Sequence, residues 1–157
     1  MSIDLCNDSG LAAEEEELVA QAQFVLSQLH VNPASDLSIM LVAEVEMADL
    51  HQRYMDEPGP TDVLSFPMDE LRAGTPGNIQ PEGVLGDVVI CPAVAQRQAQ
   101  DAGHDTAVEM RLLLTHGILH LLGHDHAEPE EHAVMFGLQA KLLALWEGQR
   151  NERGFNA

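Results

Sequence analysis

The eleven residues from His116 to His126, HGILHLLGHDH, hold four histidines, and the run that carries the first two is otherwise apolar. With Met110, Leu112, Leu113, Leu114, Ile118, Leu119, Leu121 and Leu122 around them, these positions form a helix that is hydrophobic on every side, and such a helix is buried. His116 and His120 lie four apart, which puts their side chains about 40° apart in azimuth and roughly 6 Å apart along the axis. Both rings can therefore reach one ion. Gly123 follows the last periodic leucine and can take the left-handed conformation that ends a helix and turns the chain back, aiming His126 at the same point. His124 competes as third ligand, because it would share the helical face if the helix ran on. His126 is preferred because Gly123 is the natural stop.

Three neutral imidazoles around Zn²⁺ leave the ion dicationic with a fourth position open, the pattern of a catalytic site. One Zn²⁺ per chain is the expected cofactor. No side chain is assigned as catalytic; the candidate nucleophile is water on the ion, with its pKa lowered toward about 7. Asp125, between His124 and His126, is either an outer partner that orients an imidazole or a solvated turn residue. A zinc peptidase of the H-E-x-x-H type carries its general base directly after the first histidine, and here that position is Gly117. The peptidase reading thereby becomes the alternative.

The pattern H-G-x-L-H-L-x-G-H-D-H resembles the signature of the YbeY family, zinc-dependent endoribonucleases of ribosomal RNA maturation. PTDVLSFP at 60–67 and LGDVVI at 85–90 stand in the order and at the distances that family shows, so the resemblance covers about residues 50–126. It implies His116, His120 and His126 as zinc ligands. It also implies a single-strand-specific endoribonuclease active in 16S rRNA 3′-end maturation and ribosome quality control. The implied partners are ribosomal RNA, small-subunit proteins and a ribosome-associated GTPase. Many members carry arginine directly after the aromatic residue upstream of PTDVLSF. Here Tyr54 is followed by Met55, and Arg53 is the substitute candidate for a phosphate contact. The resemblance, together with a turn opening into a buried strand, makes Thr61 and Asp62 candidate substrate contacts on the cleft wall. The rival readings are a zinc metallopeptidase or other metal hydrolase, and a noncatalytic, metal-stabilised ribosome-binding module.

Charge argues against free RNA as a partner: 26 acidic residues against 7 basic ones give −19, where a nucleic-acid binder shows a basic footprint. Glu14 to Glu17, and Glu128, Glu130 and Glu131, read as solvated faces at helix starts. The cations that matter are Arg53, Arg72, Arg97 and Arg111. Weak free-RNA affinity follows, with placement on substrate supplied by metal contact or by basic ribosomal proteins. Few aromatic residues are available as a stacking platform. Tyr54 and Phe66 are the candidates near the cleft, with core packing the favoured role for Phe66.

The 157 residues fit one α+β domain, a small mixed sheet packed with about five helices and the metal site on a buried helix. Cys6 and Cys91 imply two reduced, partly buried thiols and no disulfide framework. The first ten residues have neither a basic nor an apolar leader region, and no membrane span occurs, so a cytoplasmic protein is expected. The pattern predicts helices over 12–30 (opened by Asp8 or Ser9), 45–54, from Pro92 to Gly103, through Leu122 from a Thr106–Glu109 capping box, and from Pro129 to Trp146. A stop near Gly148 leaves 148–157 as a frayed tail. Strands are expected at 37–44, 62–68 (an edge, given Pro67) and 83–90, with 71–83 a flap or a disordered loop. Val134, Met135, Leu138, Leu142 and Leu145 read as the packing face of the last helix. His30, His51, His104 and His132 lack ligand spacing and read as ordinary loop or surface residues.

Overall fold

The computed structural model describes residues 2–154. Its elements follow in the order β1 (Ser2–Asn7), α1 (Glu15–Gln28), β2 (Asp36–Leu41), α2 (Glu44–Met55), β3 (Val63–Pro67), β4 (Val84–Ile90), α3 (Pro92–Ala102), α4 (Thr106–Leu121) and α5 (Pro129–Arg153). The sheet runs β1-β2-β4-β3, with β1, β2 and β4 parallel and β3 antiparallel to β4 at the edge. Pro67 is tolerated because it ends an edge strand.

Two cores fall on opposite faces of the sheet. Leu37, Ile39, Leu41, Val88 and Ile90 pack with Leu26 of α1 and Leu114, Ile118 and Leu119 of α4. Leu64 and Val89 pack with Met47 of α2 on the other side. As the apolar surround of its histidines requires, α4 is buried over most of its length.

The sequence reading places no strand at the N-terminus, yet Ser2–Asn7 pairs in register with Asp36–Leu41. The alternation of half-buried Ile3 and Leu5 with exposed Ser2, Asp4 and Cys6 is the period-two signal for it. Asp8 and Ser9 belong to the following turn, where Asn7 Oδ1 accepts from the Ser9 hydroxyl and amide, and α1 starts only at Glu15. The capping box is also absent. Thr106 is already helical, Asp105 is the cap residue, and the Glu109 carboxylate meets His104 Nε2 at 2.7 Å instead. The 71–83 segment is packed: the Gly74 amide donates to Leu29 O at 2.8 Å, and Leu71 and Ala73 sit against the larger core.

Gly148 does not end α5, which continues to Arg153 before Gly154 takes a left-handed φ of 79°. The cause is a buried charge cluster. Arg150 on α5 and Glu17 on α1 pair directly, Arg111 on α4 approaches Glu17 at 3.6 Å, and all three side chains are no more than 10% exposed. Glu17 is thus not part of a solvated acidic face. Residues 155–157 of the expected tail lie outside the described residues. Inward positions of α5 are Met135, Gln139, Leu142, Trp146 and Arg150, whereas Val134 and Leu145 are exposed. Both cysteines are free, Cys91 buried and Cys6 exposed. Among the described residues no helix is long and apolar enough to cross a membrane.

Candidate metal centre

The end of α4 sets the site. Leu122 caps the helix, Gly123 takes φ 93°, its amide donates to His120 O and the His124 amide donates to Leu119 O, both at 3.0 Å. These two bonds satisfy the last carbonyls by the Schellman pattern. The chain reverses, and Asp125 Oδ1 then accepts the His126 backbone amide at 2.7 Å. One ring nitrogen from each of His116, His120 and His126 comes within 4.8 Å of the others. His124 is outside that group and lines a separate surface hollow with Asp125, Glu130 and Glu131.

His116 Nδ1 lies 2.8 Å from Gln139 Oε1. An amide oxygen only accepts, so Nδ1 carries the proton and the Nε2 lone pair of the neutral ring is left facing His120 Nε2, 3.1 Å away. Burial, and next the adjacent His116, hold His120 below the ordinary imidazole pKa, favouring the neutral form that can ligate. Three convergent imidazoles make a donor set suited to a divalent transition ion with coordination positions to spare. Outside them is an open cleft of about 410 Å³. Its other wall is Met55 of α2 and the stretch Thr61–Ser65.

Thr61 and Asp62 therefore share the cleft with the histidines. Asp62 Oδ1 accepts the Val63 amide at 2.7 Å and the Thr61 hydroxyl at 3.3 Å, fixing the turn that enters β3. Ser65 donates to Gly117 O at 2.8 Å, tying β3 to α4. Arg53 does not line the cleft; its guanidinium pairs with Asp49 at 2.8 Å, one turn back on α2. Asp125 holds a backbone amide and no imidazole nitrogen, so the orienting role considered for it belongs, for His116, to Gln139. Tyr54 and Phe66 meet edge to face at 5.2 Å beside Met55.

Sequence reasoning missed Gln139 and an aromatic wall on α5. Phe136 sits 5.6 Å from the His116 ring and 5.9 Å from the His126 ring, and His132 stacks on Phe136 at 4.3 Å. His132 is therefore not an isolated surface residue. The available signals were the i,i+4 spacing of His132 and Phe136, and a glutamine seven residues from His132 on a helix face otherwise apolar.

The model of the family described as Endoribonuclease YbeY matches residues 6–147. A Thermobifida fusca protein named Endoribonuclease YbeY is 60% identical over 152 residues, covering 97% of this chain and 98% of its own. Proteins of the same name from Arthrobacter sp. and Acidothermus cellulolyticus are 56% and 53% identical, covering 95% and 98% of this chain and 95% and 96% of their own. A solution structure of a Thermotoga maritima protein shares the fold, with a TM-score of 0.65 at 24% identity over 96% of this chain and 93% of that one. Matched along nearly its whole length, the chain belongs to the endoribonuclease YbeY family.

Proposed function

We propose that this protein is a zinc-dependent endoribonuclease that cuts single-stranded RNA during ribosomal RNA maturation. Its substrate is the 3′ end of 16S rRNA, and it acts in ribosome quality control as well. The observation that carries the reading is the convergence of His116, His120 and His126 in an open cleft, in a chain whose relatives are named endoribonucleases. Each chain holds one Zn²⁺ through these three rings. When bound, such an ion supplies Lewis acidity toward a phosphodiester and lowers the pKa of water. Gln139 fixes the His116 tautomer. Thr61 and Asp62 form the wall against which the substrate strand rests.

The peptidase alternative meets a steric objection. A Cβ at Gly117 would lie 2.6 Å from Val88 Cγ1 and 3.3 Å from Ser65 Oγ, so the position that bears the general base in H-E-x-x-H enzymes faces the sheet and has no room for a carboxylate. The cell compartment is the cytoplasm. Working partners are ribosomal RNA, small-subunit proteins and a ribosome-associated GTPase, which supply the placement that a chain of −19 charge lacks.

Metal analysis of purified protein combined with cleavage-end mapping on 16S-type RNA, free and in the small subunit, tests the reading. Cleavage lost on chelation and in His120→Ala supports it. Equal cleavage in both would mark the activity as foreign, and zinc binding without turnover on any RNA would leave the ribosome-binding module.

A further inference from the structure

Of the seven basic residues, four are held by carboxylates: Arg53 by Asp49, Arg97 by Glu44, Arg111 by Glu14, Glu17 and Glu147, and Arg150 by Glu17 and Glu147. Arg153 lies over the Trp146 ring. Lys141 is exposed on α5, two residues and thus roughly 200° around the helix from Gln139, away from the histidines. Arg72 shares with Lys141 and Arg153 the absence, among the described residues, of a carboxylate within 4.0 Å, although acidic side chains outnumber basic ones 26 to 7, and it differs from both in lying against Gly123. Among the described residues its one side-chain hydrogen bond runs from Nη1 to the carbonyl of its neighbour Leu71, at 3.1 Å. A guanidinium has five donors in a planar fork, so most of the fork is free.

Like Arg53, that guanidinium does not line the cleft, but the fold puts it against the turn at Gly123 that joins two of the cleft's histidines. A Cβ on Gly123 would lie 2.6 Å from Arg72 Cζ and 2.7 Å from Nε, so the plane rests on the backbone of the residue that turns the chain from His120 to His126. The packed 71–83 loop, anchored at Gly74 and Leu71, holds it there. Glycine at 123 thus has two tasks: the left-handed turn, and the space Arg72 occupies.

We propose that Arg72 is the residue of this chain that grips a backbone phosphate of the RNA strand crossing the three-histidine cleft. The inference rests on the endoribonuclease reading and adds a phosphate contact to it. Arginine suits the role because its fork pairs with two phosphate oxygens at once, and the absence of a local carboxylate leaves no ion pair to break on binding.

The test is binding of a fluorescently labelled single-stranded oligoribonucleotide to zinc-loaded protein, titrated across salt concentrations. Wild type, Arg72→Ala, Arg72→Lys and Arg53→Ala are compared, with zinc content measured for each. One lost phosphate contact lowers the slope of log K against log salt by about 0.7. Arg72→Ala should show that loss and bind several-fold more weakly at low salt with zinc content unchanged, Arg72→Lys should recover most of the slope, and Arg53→Ala should match wild type. An unchanged slope in Arg72→Ala while wild type binds RNA overturns this inference alone. If wild type binds no oligoribonucleotide even at low salt, this inference is overturned too, while the nuclease reading is decided separately by cleavage-end mapping on the small subunit.

Discussion

The Gln139 amide oxygen accepts the Nδ1 proton of His116 at 2.8 Å, across 23 residues of sequence, and so decides which nitrogen of that ring faces the centre. Gln139→Leu keeps the side-chain volume and removes the acceptor. Zinc affinity should fall about 10- to 100-fold with little change in fold, as read by chelator competition alongside circular dichroism.

The candidate third ligand separates from its neighbour by loop geometry. His126→Ala should leave well under one zinc per chain in elemental analysis, while His124→Ala, whose ring lies outside the group, should keep full occupancy. The opposite pattern would mean that the Gly123 turn does not deliver His126 to the ion.

Gly117→Ala sets two effects against each other. Helix propensity favours alanine by about 1 kcal/mol, but a methyl 2.6 Å from Val88 Cγ1 forces α4 off the sheet, and overpacking of this kind costs about 1–3 kcal/mol. Packing should win, giving a lower denaturant midpoint at unchanged m-value.

Glu17→Gln should destabilise by about 1.5–3 kcal/mol, because Arg111 and Arg150 lose the buried carboxylate between them and keep only the more exposed Glu147 and Glu14. Burial pushes the Glu17 carboxyl up, but hydrogen bonds with Glu14 and Arg150 and the charges of both arginines outweigh it and hold the group below its ordinary value of 4.5. A carboxyl lowered on folding gives stability that is fully present above that value and is lost as pH falls through the folded one. The gap between wild type and variant should therefore be flat near neutral pH and close only below the ordinary carboxylate range, in denaturant titrations repeated across pH.

Chelation should lower the melting temperature without unfolding the chain at room temperature. The ion binds only the folded state, while α4 is held independently by Leu114, Ile118 and Leu119 in the core. Loss of all structure on chelation would mean that the metal carries the fold.

What could be read from the sequence was local. Histidine spacing within one helix and a glycine stop are short-range patterns, and they gave the three ring positions and the turn between them. The PTDVLSFP stretch likewise marked the edge strand and, with the family resemblance, the wall at Thr61 and Asp62. What could not be read depends on which helix lies against which. Gln139 becomes a histidine partner only because α5 packs across α4, and Glu17 passes for one more exposed acid until α1 meets Arg111 and Arg150. Arg53 looked available because its sequence neighbours do not show that Asp49, one turn away, already holds it. The strand Ser2–Asn7 was within reach, since Ile3 and Leu5 alternate with polar residues, but it is short and its partner β2 begins 34 residues after it does.

The 25 residues of α5 form one unbroken rod, and Gln139 and Arg150 are fixed to it eleven residues apart, about 16 Å along the axis. The far end is moored in Glu17, the near end orients the His116 imidazole. Slack at the mooring is thus felt as misalignment at the imidazole, so a substitution at the Glu17 end would register in the zinc affinity of a site it never touches.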